Sequence, residues 1–245
     1  MPVVAVEGCP AGAEAEAEAQ TEAQAEAQPY PGHGTLFTMS LAYLLPSRTT
    51  SIVWRGPKKT AMIRQFLTDV SWGPLDYLLI DTPPGTSDEH ISLVESLLTL
   101  VGPASPASPL RGAILVTTPQ QISTADVRKE LSFCRKVSLP VLGVIENMAG
   151  FICPCCGVLT DVFSRGGGEE LARETGVEFW GGVPLDEGIV RLFEERRGTK
   201  TGVRKGEDLV RRYRKGRLGK VYEGITMRLV EKVEGRKAGE GSSMS

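Results

Sequence analysis

Apolar runs of strand length recur along the chain at Leu36–Leu45, Ile52–Trp54, Tyr77–Ile80, Ala113–Val116, Val141–Ile145 and Phe179–Val183. A strand with one wet face alternates apolar and polar residues. These runs are continuous instead, so they read as strands covered on both faces. Between them apolar positions recur at helical spacing. Met62, Ile63, Phe66, Leu67 and Val70 share one helix face, and Ile122, Ala125, Leu131 and Cys134 share another more loosely. Ile91, Leu93, Val94, Leu97 and Leu98 mark a further helix behind Ser87-Asp88, which has the chemistry of an N-cap. Strand and helix in alternation predict βαβ units: an α/β fold with a mostly parallel sheet and helices on both faces. Leu209, Tyr213, Val221, Ile225 and Leu229 predict one docking helix from about Asp208 to Val233.

The pattern also sets the boundaries. In residues 11–28 alanine alternates with glutamate or glutamine, which gives a helix no apolar face to bury. Residues 1–34 therefore read as a low-complexity disordered tail. The Val3-Val4-Ala5-Val6 stretch within it has strand character but the position of a flexible terminus. Residues 35–233 form the folded domain, with the Pro/Ala/Ser segment Val101–Leu110 as a surface loop, and 234–245 form a second disordered tail.

Composition narrows the class. Apolar residues make up 41% and charged residues 24%, a soluble globular balance. The formal charge is 28 − 30 = −2, so the whole molecule has no pull toward nucleic acid or membrane. The eleven Lys or Arg in 196–220 read as a solvated helix face. No signal-peptide pattern or membrane-length apolar run is present. Five cysteines, an odd number, argue against a secreted disulfide framework and for a reducing cytoplasm.

Cys153-Pro154-Cys155-Cys156 carries the sharpest chemical signal. The outer pair has the C-x-x-C spacing that brings two thiolates from one tight turn to one metal or one cluster edge. A tetrahedral zinc or a four-iron cluster needs four ligands. The chain has no second C-x-x-C, so a two-fold dimer giving two sulfurs per subunit is the simplest completion. A reduced pair of surface thiols, or a disulfide, fits the same spacing.

Three strand ends carry further candidates, because ligands of doubly wound sheets sit beyond the carboxyl ends of the strands. Leu78-Leu79-Ile80-Asp81-Thr82-Pro83-Pro84-Gly85 places a carboxylate at the end of an apolar run, the arrangement that holds Mg²⁺ or its water. Its stiff turn would let a backbone N–H approach a terminal phosphate. An isolated Asp capping a turn would look alike; the Pro-Pro-Gly that follows favours the phosphate reading. Thr117-Thr118-Pro119-Gln120 is a weaker signal. Asn147, in Val144-Ile145-Glu146-Asn147-Met148, could read a base edge or simply form a turn.

A phosphate cradle of the G-x-x-x-x-G-K-[ST] type is missing from the sequence. Gly56-Pro57-Lys58-Lys59-Thr60 imitates its tail without the upstream glycine, and Pro57 removes a donor. Hydrogen bonds to a charged phosphate contribute about 1.5–3 kcal/mol each, so lacking three or four costs on the order of 5–10 kcal/mol. The chain alone is expected to bind ATP poorly and to hydrolyse it negligibly.

Taken in order, these motifs resemble the Mrp-like P-loop ATPases that act as iron–sulfur scaffolds, closest to the smaller cytosolic scaffold subunit of eukaryotes. The resemblance rests on Val53-Trp54-Arg55-Gly56-Pro57, Ile80–Glu89, Thr117–Gln120, Ile145–Met148, Phe151–Gly157, Phe163–Gly168 and Val183–Asp186. It implies a deviant-Walker P-loop NTPase fold and a [4Fe–4S] cluster bridging two subunits through Cys153 and Cys156. ATP/Mg is the family's nucleotide, with Asp81 as the magnesium-side carboxylate and Asn147, Pro184 and Asp186 near the adenine. The implied partners are a second copy, or a larger related scaffold subunit in a heterotetramer, and apo Fe–S proteins as acceptors. The family's first strand, P-loop and helix are not matched, which is expected to leave strand edges at the sheet centre partly unpaired. Three alternatives stay open: a ParA/MinD-type positioning ATPase, a structural zinc-bridged dimer, and a non-functional truncated copy.

Overall fold

A computed structural model describes residues 3–7, 36–44, 56–104, 108–191 and 206–235. Its sheet contains β1 (Val3–Glu7), β2 (Tyr77–Asp81), β3 (Leu110–Thr117), β4 (Val141–Ile152), β5 (Leu159–Thr160) and β6 (Phe179–Leu185). The helices are α1 (Gly56–Thr68), α2 (Asp88–Val101), α3 (Gln121–Lys136), α4 (Gly167–Thr175), α5 (starting at residue 187), α6 (Gly206–Lys215) and α7 (Arg217–Glu234). The order across the sheet is β2-β1-β3-β4, with β6 and the short β5 both on β4.

β3, β4 and β6 pair in parallel, and β2 shares their direction because β2 and β3 are each antiparallel to β1. The mostly parallel α/β arrangement is therefore present. The central slot is filled, however, where unpaired edges were expected. Val3–Glu7, read from sequence as part of a tail, pairs with β2 on one side and β3 on the other. Inserting one strand satisfies the backbone N–H and C=O groups of two neighbours, a demand that sequence periodicity does not reveal.

Alternating residues of β3 divide the core between two faces. Ala113 and Leu115 pack under α2, α3 and α4, while Ile114 packs with Trp180, Val183, Leu218 and Ile225 beneath α7. Leu110, Leu115, Val144 and Leu171 are fully enclosed, each contributing about 1.5–3 kcal/mol by leaving water. Tyr213, Val221, Ile225 and Leu229 dock as their spacing predicts; the side chain of Leu209 lies outside the described residues.

Four expectations are corrected. The expected strand Leu36–Leu45 is absent over its described residues: 36–40 lack regular structure, and Leu41–Leu44 forms one 3₁₀ turn. Ser40 bends the chain there, its carbonyl accepting the Tyr43 N–H at 3.0 Å and its hydroxyl the Ala42 N–H at 3.3 Å. The predicted helix from Asp208 to Val233 is two helices. Gly216 ends α6 with hydrogen bonds to Arg212 and Tyr213 carbonyls, then turns extended before α7. Ile122 stands 76% exposed at the start of α3 and off its buried face. β2 is covered on one face only: Leu78 and Ile80 enter the core, while Leu79 is 57% exposed.

The expected strand at Ile52–Trp54, the Val53-Trp54-Arg55 part of the resemblance and the low-complexity stretch 11–28 lie outside the described residues. Among the described residues no helix is long and apolar enough to cross a membrane.

Candidate functional site

β4 is the element that positions the cysteines. It was read as ending near Ile145, yet it continues to Ile152 and pairs there with β5 to form a hairpin. The strand survives the Asn147–Gly150 stretch because Met148 and Gly150 take left-handed backbone angles, φ 58° and 84°, which bend it without ending it. The tip of the hairpin is the cysteine turn. Cys153 N–H donates to the Val158 carbonyl at 3.0 Å, and Gly157 N–H donates to the Cys153 carbonyl at 2.9 Å. Gly157 supplies the required positive φ of 72°.

Cys153 is half-buried, whereas Cys155 and Cys156 are exposed. The backbone N–H of Cys156, and next that of Cys155, point at the Cys153 sulfur and hold its pKa below the ordinary thiol value; the two neighbouring thiols add to this. Converging N–H groups favour a thiolate, the form that binds metal. Among the described residues no group of three or more His, Cys, Asp or Glu side chains is arranged to hold a metal ion. The turn thus presents two sulfurs at C-x-x-C spacing, a donor type whose chemistry suits iron or zinc.

The nucleotide-type candidates lie toward the carboxyl ends of β2, β3 and β6 and midway along β4, which continues past them. Thr117 is level with Glu146, and Asn147 is level with Val183, next to Pro184. Asn147 is exposed and its Oδ1 accepts the Met148 N–H at 2.9 Å, a local turn bond. Asp186 begins α5, its Oδ1 accepting the Gly188 N–H at 2.8 Å. Asp81 stands exposed on β2, three strand positions from β4, roughly 14 Å away at standard strand spacing. The fold therefore brings Asn147, Pro184 and Asp186 together, while Asp81 lies apart, level through Val3 with Ile114 and not with Thr117.

A phosphate cradle is not supplied by the described residues. Gly56–Thr60 is the first turn of α1, and its Lys59 and Thr60 side chains reach α2. Lys59 Nζ bonds Glu89 at 2.6 Å, and the Thr60 and Ser92 hydroxyls meet at 3.0 Å. That lysine holds the Glu89 carboxyl down at about 2, with the Ser87 hydroxyl assisting.

Several residues that build the rim have no role that the sequence alone assigns. Glu146 is 4% exposed, and its Oε2 accepts the Gly168 N–H at 2.6 Å at the positive end of α4. Glycines let that helix come so close: a β-carbon on Gly167 would lie 2.2 Å from the Pro119 carbonyl oxygen, and one on Gly168 would lie 3.0 Å from Glu146 Cβ. The Thr-Thr-Pro-Gln, Glu-Asn-Met and Gly-Gly-Gly motifs are thus one packed assembly. On the β2 side, two buried groups hold the Pro-Pro-Gly loop. Glu130 Oε1 accepts the Gly85 N–H at 2.9 Å. His90 Nδ1 accepts the Ser87 N–H at 3.2 Å, and its Nε2–H donates to the Pro83 carbonyl at 3.0 Å. A cleft of about 510 Å³ opens between Glu146, Pro184, Gly157 and Arg217, linking the rim with the cysteine turn.

Comparison with known proteins adds the following. The ParA family model, described as NUBPL iron-transfer P-loop NTPase, matches residues 8–215. A cytosolic Fe-S cluster assembly factor CFD1 from Coccidioides immitis is 53% identical over 224 residues, covering 82% of this chain and 65% of that protein. Its namesake from Phaeosphaeria nodorum is 60% identical over 164 residues, covering 66% of this chain and 55% of that protein. The one from Emericella nidulans is 51% identical over 227 residues, covering 82% and 68%. The chain thus spans between about half and two thirds of the length of these curated relatives. A solved nucleotide-binding protein from Archaeoglobus fulgidus aligns over 62% of this chain and 54% of its own, with 36% identity and a TM-score of 0.48.

Proposed function

Since the chain belongs to the NUBPL iron-transfer P-loop NTPase family, we propose that it is a cytosolic scaffold for [4Fe–4S] cluster assembly. The cluster is its cargo, held between two subunits and passed to apo-proteins. One observation carries this reading: an exposed turn at a hairpin tip presents Cys153, its sulfur facing the backbone N–H groups of Cys156 and Cys155, beside Cys156, with no third ligand arranged among the described residues. Four-iron clusters take four thiolates, so a second turn completes the site across a two-fold axis. The second turn comes from another copy or from a larger related scaffold subunit.

In the same proposal Asp81 is the magnesium-side carboxylate, and Asn147, Pro184 and Asp186 border the adenine. With Lys59 and Thr60 engaged by α2, this chain hydrolyses ATP negligibly unless a partner supplies the phosphate cradle. The test is anaerobic incubation with ferrous iron and sulfide. A brown protein with about four iron per dimer is expected, and Cys153→Ala should empty it. Colourless protein carrying zinc alone, or full iron retained by Cys153→Ala, would overturn the reading.

A further inference from the structure

The turn holds a thiol for which the scaffold reading has no use. Cys155 stands between the two ligands, is exposed like Cys156, and directs its own backbone N–H at the same Cys153 sulfur. Cys153 is the fixed member of the trio, its N–H and C=O both tied across the hairpin to Val158 and Gly157. Cys155 and Cys156 therefore flank one anchored sulfur, and each can close a chelate with it, by C-x-C or by C-x-x-C. Three thiols in one turn do not form a three-ligand site here, which leaves two alternative pairs.

We propose that Cys155 is an exchange ligand that takes the place of Cys156 on one iron of the cargo during release, a step that rests on the scaffold reading. In the exchange the Fe–Sγ bond to Cys155 forms and that to Cys156 breaks. The proton leaving the Cys155 thiol ends on the Cys156 sulfur, and no electron is transferred. An acceptor protein's thiol then displaces Cys155 by the same chemistry. A tethered thiol is present at millimolar or higher effective concentration, which frees release from dependence on dissolved thiols.

The experiment compares wild type, C153A, C155A, C156A and the C155A/C156A double variant after anaerobic loading. Iron per dimer, the visible and paramagnetic-resonance spectra, and the transfer rate to an apo-[4Fe–4S] acceptor without added thiol are measured. Both positions are exposed, so truncation should leave the fold intact. C155A is expected to load with a wild-type spectrum and to transfer on the order of tenfold more slowly. C156A is expected to keep a fraction of the iron with an altered spectrum, and the double variant to lose it. Transfer by C155A at the wild-type rate overturns the proposal. Iron retained by C153A fails the scaffold reading instead, so the two failures are distinct.

Discussion

Replacing Glu130 by alanine and by glutamine separates the hydrogen bond it makes from the charge it carries. The residue is 3% exposed. Its Oε1 accepts the Gly85 N–H at 2.9 Å, and its Oε2 is enclosed without a partner. The space left among Thr82, Gly85, His90 and Glu130 is about 10 Å³, room for a single water. Its charge also helps burial push the Cys134 thiol up to about 11. Alanine leaves the Gly85 N–H unmet, which costs about 1–3 kcal/mol. Releasing an incompletely bonded buried carboxylate returns part of that, so a net loss of about 1–2 kcal/mol is expected. Glutamine keeps an oxygen for Gly85 and removes the charge, so stability should change by less than about 1 kcal/mol. Urea unfolding reads the totals. Hydrogen exchange of a peptide spanning residues 82–90 reads the loop, where a loss of 1.4 kcal/mol accelerates exchange about tenfold. Exchange in the alanine variant at the wild-type rate refutes the idea that Glu130 holds this loop. Equal acceleration in the glutamine variant would mean that charge, not the hydrogen bond, holds it.

Two other predictions concern packing and pH. Gly143→Ala would place a β-carbon 2.2 Å from the Trp180 ring, so it should cost about 1–3 kcal/mol or more by overpacking; an unchanged urea midpoint contradicts this. Glu89, held at about 2 by Lys59 and Ser87 against an ordinary 4.5, stabilises the fold above pH 4.5, and the contribution disappears as pH falls toward 2. Lys59 is half exposed, so solvent screening limits this to about 1 kcal/mol or less. Lys59→Ala should flatten the acid side of the stability profile between those pH values, and a profile identical to wild type counts against the pair.

The sequence revealed most where chemistry depends on spacing along one element. The C-x-x-C turn, the Ser87 cap of α2 and the core faces of α2 and α7 follow from local periodicity, and the structure places them accordingly except for Ile91, which is exposed on α2. Residues acting across elements stayed hidden. Glu130 and Glu146 are ordinary polar letters in their segments; only the approach of Gly85 and Gly168 shows why a buried carboxylate stands there. Asn147 could be taken for a turn former, whereas its pairing with β6, and that of Phe151 with β6 and β5, keeps it inside a bent strand. The insertion of Val3–Glu7 answers the unpaired edges of β2 and β3, a need set by residues far away in sequence.

The bend in β4 has a mechanical consequence. Up to Glu146 the strand is clamped on both edges by β3 and β6, so that stretch moves only with the sheet. The β4–β6 register shifts between Asn147 and Phe151, and Phe151 is then held again by Leu185 of β6 and Thr160 of β5, so the bend is a joint between two clamped stretches. Leu159 latches that joint, for a β-carbon on Gly150 would lie 2.9 Å from its Cδ1. In the proposed scaffold dimer the angle at which each subunit presents its sulfurs is therefore set by this joint. Position 150 is where that aim can be re-set while every cysteine is left in place.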